Sequence, residues 1–156
     1  MKKASANKVP AQAHVLLVED DVSAQDISRF ILQQDGHAVT MASNGKEALI
    51  ILNGAANSSN PVDLVITDLT MPVMSGVDFI LEMRKHDLSM PVVVTTGCID
   101  SYSKPDIQNM GADHILFKPF NAADLTGCVK TILARNLSRP VGPGNGMATH
   151  VCLKKN

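Results

Sequence analysis

Short apolar runs alternate along this chain with longer segments whose apolar residues recur at helical spacing. The runs are His14–Val18, His37–Met41, Val62–Thr67, Pro91–Thr95 and His114–Phe117. Three of them, VLLV, VDLVIT and PVVVT, are nearly continuous and rich in β-branched residues. A half-exposed strand would alternate apolar and polar positions, whereas near-continuous runs mark strands covered on both faces of a parallel sheet. Between the runs, Ile27, Phe30 and Ile31 share a predicted helix face, as do Ala48, Leu49 and Leu52 in the next segment. Val77, Ile80, Leu81 and Arg84 follow the same spacing, and Leu125, Val129, Ile132 and Leu133 give the last helix a stripe at i, i+4, i+7 and i+8. In Ser101–Met110 a proline, Pro105, is comfortable only in a first turn, so that helix is expected to begin near Lys104. Asp35-Gly36 and Asn44-Gly45 mark turns, and a strand–helix pair repeated five times predicts an open α/β sheet with helices on both faces.

A chain of 156 residues suits one domain. We expect an N-terminal extension over 1–12, the domain over 13–136 and a flexible tail over 137–156, where Gly and Pro punctuate SRPVGPGNGMATH. Too little chain follows Asn136 for an output domain, and the initiating Met1 favours a whole protein. With 45% apolar but only 3% aromatic residues, the core must be packed from Val, Ile, Leu, Ala and Met. The net charge of -1 provides no sequence-wide basic footprint, so neither direct nucleic-acid binding nor an anionic membrane surface is expected. No run approaches the ~18 apolar residues of a membrane span, and the polar start lacks a signal-peptide core. Cys98, Cys128 and Cys152 form no CxxC and read as buried or tail thiols of a reducing, cytoplasmic compartment.

The chemistry lies where polar groups interrupt the apolar runs. Glu19-Asp20-Asp21 follows the first strand, Asp68 closes the third, Thr96 the fourth and Lys118 the fifth. In an open parallel sheet the carboxyl ends of the strands form the edge where ligands bind. Carboxylates gathered there repel one another, and a hard divalent cation relieves the repulsion. Oxygen ligands without His or Cys favour Mg²⁺, with Mn²⁺ as the alternative, over zinc. A carboxylate beside such an ion can attack phosphorus to give an aspartyl phosphate, with Lys118 and Thr96 supporting the transferred group.

The strings VLLVEDD (15–21), DLTMPVMSG (68–76), VVVTTG (92–97) and FKPF (117–120), with GADHILFKPF (111–120), resemble the receiver domain of two-component response regulators. The resemblance covers roughly residues 13–136, and the four motifs in order at family spacing are specific where each alone is modest. It implies a flavodoxin-like, doubly wound, five-stranded parallel sheet of order 2-1-3-4-5. By position, Asp68 would be the phosphoacceptor, Asp20 a direct magnesium ligand and Glu19 a ligand acting mainly through water. The backbone carbonyl of Thr70 would complete the metal site, with Thr96 as the switch hydroxyl and Lys118 as the lysine that pairs with the phosphoryl group. Lys118-Pro119 resembles the family's lysine–proline step, whose peptide bond is often cis. A histidine kinase or phosphotransfer protein would be the donor and a separate protein the target, with the domain a monomer or weak homodimer. The domain would catalyse its own phosphorylation and hydrolysis and turn over no metabolite.

One position departs from the pattern. Ile115, three residues before Lys118, stands where most receivers carry Tyr or Phe, so the usual aromatic readout is in doubt and signalling is expected to run through the 97–110 segment. Blander readings exist for each residue: Glu19–Asp21 as a solvated loop favouring the next helix, Asp68 as a turn residue, Lys118 as surface charge. The five histidines show no ligand spacing, and Met71, Met74 and Met83 read as packing or loop residues. Two rival functions remain. A magnesium-dependent phosphatase or phosphotransferase would usually show DxD, which Asp68-Leu69-Thr70 lacks; a phosphorylation-independent pseudo-receiver would not need the full acidic set.

Overall fold

A computed structural model describes residues 12–97 and 102–137. The expected extension over 1–12 and tail over 137–156 lie outside these residues except for Gln12 and the backbone of Leu137, as do Cys98 and Cys152. The chain order is β1 (His14–Val18), α1 (Val22–Gln34), β2 (Ala38–Ala42), α2 (Gly45–Ala55), β3 (Leu64–Asp68), α3 (Gly76–Lys85), β4 (Val92–Thr96), α4 (Lys104–Asn109), β5 (His114–Phe117) and α5 (Ala122–Leu137). The strands form one sheet of order β2-β1-β3-β4-β5, and every pairing is parallel. This is the open α/β sheet expected from the pattern of runs, in the doubly wound strand order that the family resemblance implies.

Alternate residues along the strands feed two separate cores. Leu16, Val18, Val65, Val92 and Val94 pack with Ala48 and Leu52 of α2, Phe79, Ile80 and Met83 of α3, and Ile107 of α4. Val15, Leu17, Leu64, Ile66 and Val93 pack instead with Leu32 of α1 and with Leu125, Val129, Ile132 and Leu133 of α5. Both faces of the three central strands are therefore covered, which is why their sequences read as continuous apolar runs. Asn44, Ser75 and Ser103 cap α2, α3 and α4, each side chain accepting a backbone N–H from the first turn. The helix over 104–109 begins at Lys104, with Pro105 in its first turn as expected.

Two helices sit differently from their apolar patterns. In α1 the buried positions are Gln25, Ser28 and Leu32; Ile27 and Phe30 are each 62% exposed and only Ile31 is half-buried. The expected Ile27–Phe30–Ile31 face is rotated outward because Gln25 and Ser28 take the inward positions, the Gln25 Nε2 donating to two backbone carbonyls. In α3, Phe79, Ile80 and Met83 form the buried stripe, whereas Leu81 is exposed. Arg84 leaves the apolar face to fasten two loops at the amino edge of the sheet. Its guanidinium donates to the carbonyls of Leu88 at 2.6 Å, Met90 at 3.1 Å and Gly111 at 2.6 Å. Gly111 has φ +109°, and a Cβ there would lie 2.8 Å from the Arg84 Nε, so the clamp needs glycine twice over. No helix among the described residues is long and apolar enough to cross a membrane.

Candidate functional site

The carboxyl ends of β1, β3, β4 and β5 bring the predicted residues to one edge. Glu19 follows β1 and is held there because its N–H donates to the carbonyl of Ala42 at the end of β2, 3.0 Å away. Asp68 is the last residue of β3 and Thr96 the last of β4, while Lys118 follows β5 and donates its N–H to the Thr96 carbonyl at 2.9 Å. Ligand oxygens of Glu19, Asp20 and Asp68 all lie within 4.8 Å of one another. Glu19 is buried, Asp68 partly buried and Asp20 exposed, so the group opens toward solvent at Asp20.

Lys118 sits between two of the three acids. Its ammonium is 2.8 Å from Glu19 Oε2 and 2.8 Å from Asp68 Oδ2. Burial alone would lower its pKa, but the hydrogen bonds and negative charge of Asp68 and Glu19 outweigh that and hold it above the ordinary value of 10.5. The remaining oxygens are partly satisfied: Glu19 Oε1 accepts the Asp21 N–H at 3.2 Å, and Asp68 Oδ1 accepts the Thr70 N–H at 3.2 Å. Three carboxylates against one ammonium still leave negative charge in excess. An all-oxygen donor set with surplus charge, open on one side, suits a hard divalent cation that keeps part of its water shell.

The neighbouring acid, Asp21, has another job. It is the N-cap of α1, accepting the Ala24 N–H at 2.8 Å, so the helix-favouring reading applies to it and not to Glu19. Thr95, paired in register with Asp68, and Thr96 are both buried. The peptide bond Lys118–Pro119 is cis, as in the lysine–proline step that the sequence resembles. Ile115 is half-buried against the α2–α3–α4 core.

Two contributors carry no obvious chemical signature in the sequence. Gly76 opens α3 so close to the end of β3 that a Cβ would stand 1.9 Å from the Asp68 carbonyl oxygen; its N–H donates to the Leu69 carbonyl at 2.9 Å. Its only sequence signal was its place at the end of DLTMPVMSG. Gln25, buried in α1, was hidden by the apolar residues beside it; the signal would have been a polar residue in line with Ser28 and Leu32 at i, i+3 and i+7.

Residues 15–130 match the response regulator receiver domain family. The chain belongs to that family. Among curated relatives, the response regulator SaeR of Staphylococcus aureus (strain USA300) is 30% identical over 122 residues, 78% of this chain and 51% of SaeR. This chain thus spans about half the length of the curated relatives it matches. Among solved structures, a response regulator receiver domain protein from Clostridium thermocellum aligns with TM-score 0.72 and 33% identity over 80% of this chain and 96% of that one. Vibrio cholerae chemotaxis protein CheY4 aligns with TM-score 0.68 and 31% identity over 78% and 99%. Receiver domains are generally non-enzymatic signalling domains of two-component systems; they bind Mg²⁺ at an acidic pocket, and response regulators are phosphorylated by histidine kinases. This chain carries an acidic group of Glu19, Asp20 and Asp68.

Proposed function

We propose that this receiver is a phosphorylation-dependent switch in which Asp68 accepts a phosphoryl group from a phosphohistidine on a histidine kinase or phosphotransfer protein. The observation that carries this reading is the convergence of Glu19, Asp20 and Asp68 within 4.8 Å, with Lys118 bridging two of them. Glu19, Asp20, Asp68 and the backbone carbonyl of Thr70 would hold Mg²⁺ (or Mn²⁺), which when bound would offset the mutual repulsion of the acids and the charge of the incoming phosphoryl oxygens.

In this reading an Asp68 carboxylate oxygen forms the new O–P bond as the P–N bond to the donor histidine breaks, and the imidazole leaves with the bonding pair. Lys118 exchanges its contact with the Asp68 carboxylate for a phosphoryl oxygen while keeping Glu19, and the Thr96 hydroxyl donates to another. The modified side chain gains roughly −1.5 to −2 of charge near neutral pH, as other phosphorylated residues do. The Thr96 movement pulls on the β4–α4 connection, so the signal leaves through the 97–110 segment without help from a ring at Ile115. In the segments that follow the acids along the chain, Val22 and Val73 are 70% and 79% exposed, and Ile27 and Phe30 of α1 are exposed too. Exposed apolar side chains of this kind support docking by a donor protein that excludes water during transfer. We place the domain in the cytoplasm, where nucleotide-fuelled kinases carry their phosphohistidine.

The test is incubation with acetyl phosphate and Mg²⁺ followed by intact mass. One phosphoryl adduct is expected on the wild type and none on Asp68→Asn or in excess chelator. Release of phosphate from generic phosphomonoesters would favour the phosphatase alternative, and failure to bind Mg²⁺ the pseudo-receiver.

A further inference from the structure

We infer that Gln25 is a positioning residue for the acidic group: its side-chain amide fixes the peptide plane between Glu19 and Asp20 and so aims both carboxylates. The inference rests on the proposed Mg²⁺ reading of that site. A primary amide has two N–H donors, and here Gln25 Nε2 donates to the Glu19 carbonyl at 3.1 Å and to the Ala42 carbonyl at 3.0 Å. Ala42 also accepts the Glu19 N–H at 3.0 Å. The side chain is buried in a helix whose outward face carries Ile27 and Phe30, so an apolar residue was at hand for the inward position.

The peptide unit is planar, so pinning the Glu19 carbonyl also sets the direction of the Asp20 N–H and restricts ψ of Glu19 and φ of Asp20. Those two dihedrals determine where the side chains on either side of the plane point. A rotation of the plane would leave Glu19 near Lys118, which holds its Oε2 at 2.8 Å, but would swing Asp20 away from Asp68. The same amide ties the β1–α1 loop to the end of β2. From there Gly45, at the start of α2, donates its N–H to the Met74 carbonyl of the β3–α3 connection at 3.2 Å. Gln25 thus joins the acid loop to the end of β2 through two hydrogen bonds made to backbone rather than to any ligand, while Lys118 joins Glu19 to Asp68 directly.

Residues that orient metal ligands without touching the metal typically change affinity by about 10–100-fold when removed. Gln25→Met keeps length and volume but has no donor. We expect it to raise the Mg²⁺ concentration at half-saturation about tenfold, read by two-dimensional NMR shifts of the Asp20, Asp21 and Val22 amides with no phosphodonor present. Phosphorylation by acetyl phosphate should show the same displacement along the Mg²⁺ axis with its plateau rate retained. Leu32→Val, a core truncation on the same helix, should lower stability but leave Mg²⁺ affinity at the wild-type value. If Gln25→Met does not fold, Gln25→Asn, too short to reach both carbonyls, decides the same question. A folded variant that binds Mg²⁺ as the wild type does would overturn the inference while leaving the switch reading intact. A wild type whose amides ignore Mg²⁺ would instead remove the reading on which it rests.

Discussion

The two edges of the sheet both carry charged side chains, yet they use them in opposite ways. At the amino edge three charged side chains engage backbone, and two of them, Arg84 and Asp113, also pair with each other at 3.6 Å. Asp63 and Asp113 accept the N–H groups that open β1 and β4, at 2.8 and 2.9 Å, and Arg84 donates to three carbonyls. At the carboxyl edge the acids face one another, with one lysine between two of them. Charge satisfied by fixed backbone dipoles holds a fold together; like charge gathered around an open position instead favours a counter-ion from outside. Burial does not distinguish the two edges, since Asp113, Arg84, Asp68 and Lys118 are all partly buried. The identity of the partner does.

Exchanging charge at each edge should therefore give opposite results. The largest effect is expected for Asp20→Asn, which removes a charge from the repelling group. Mg²⁺ binding and phosphorylation should be lost, whereas thermal denaturation should show stability unchanged or slightly raised. A strongly destabilised variant would show that the acids hold the fold and would dissolve the contrast. Arg84→Met should do the reverse, losing about 3 kcal/mol in urea denaturation because three carbonyls lose a charged donor, while Mg²⁺ affinity stays at its wild-type value.

Alkaline pH sharpens the comparison on a smaller scale. Burial pushes the Cys128 thiol from 9.0 up to about 11, so the folded state holds that proton more tightly than the unfolded chain. Its contribution is whole below 9.0 and is lost as pH rises toward about 11; Cys128→Ala should flatten that part of the stability profile. Lys118 is also raised, so the stability from its pairing is whole below the ordinary lysine value of 10.5 and is lost only above it, and Lys118→Met should remove this later loss alone. The smallest effect is expected for Gly127→Ala. The position is exposed in mid-α5 with nothing within 4 Å of an added Cβ, and alanine should stabilise by about 1 kcal/mol in the same denaturation assay without affecting Mg²⁺ binding.

Much of the molecule could be read along the chain. The five strands appear within two residues of the apolar runs at each end, and in the three central ones burial on both faces keeps the pattern nearly free of polar positions. The stripe of α5 was legible for a related reason: Leu125, Val129, Ile132 and Leu133 have no competing apolar face. In α1 the pattern misled. Ile27 and Phe30 are as hydrophobic as core residues but lie on the solvent side, and nothing local distinguishes an apolar face meant for the interior from one left outside.

By itself, then, the sequence determined where strands and helices run and which polar groups end them, since periodicity and strand-end chemistry are local properties. Only the tertiary structure decided how α1 is rotated, that Arg84 serves the amino edge, that Gln25 binds the Glu19 and Ala42 carbonyls, and that Gly76 lies against the Asp68 backbone. Each of those depends on a backbone carbonyl supplied by a distant segment: Gly111 for Arg84, Ala42 for Gln25 and Asp68 for Gly76. Every residue carries the same carbonyl, so no letter in the sequence marks which one will be met.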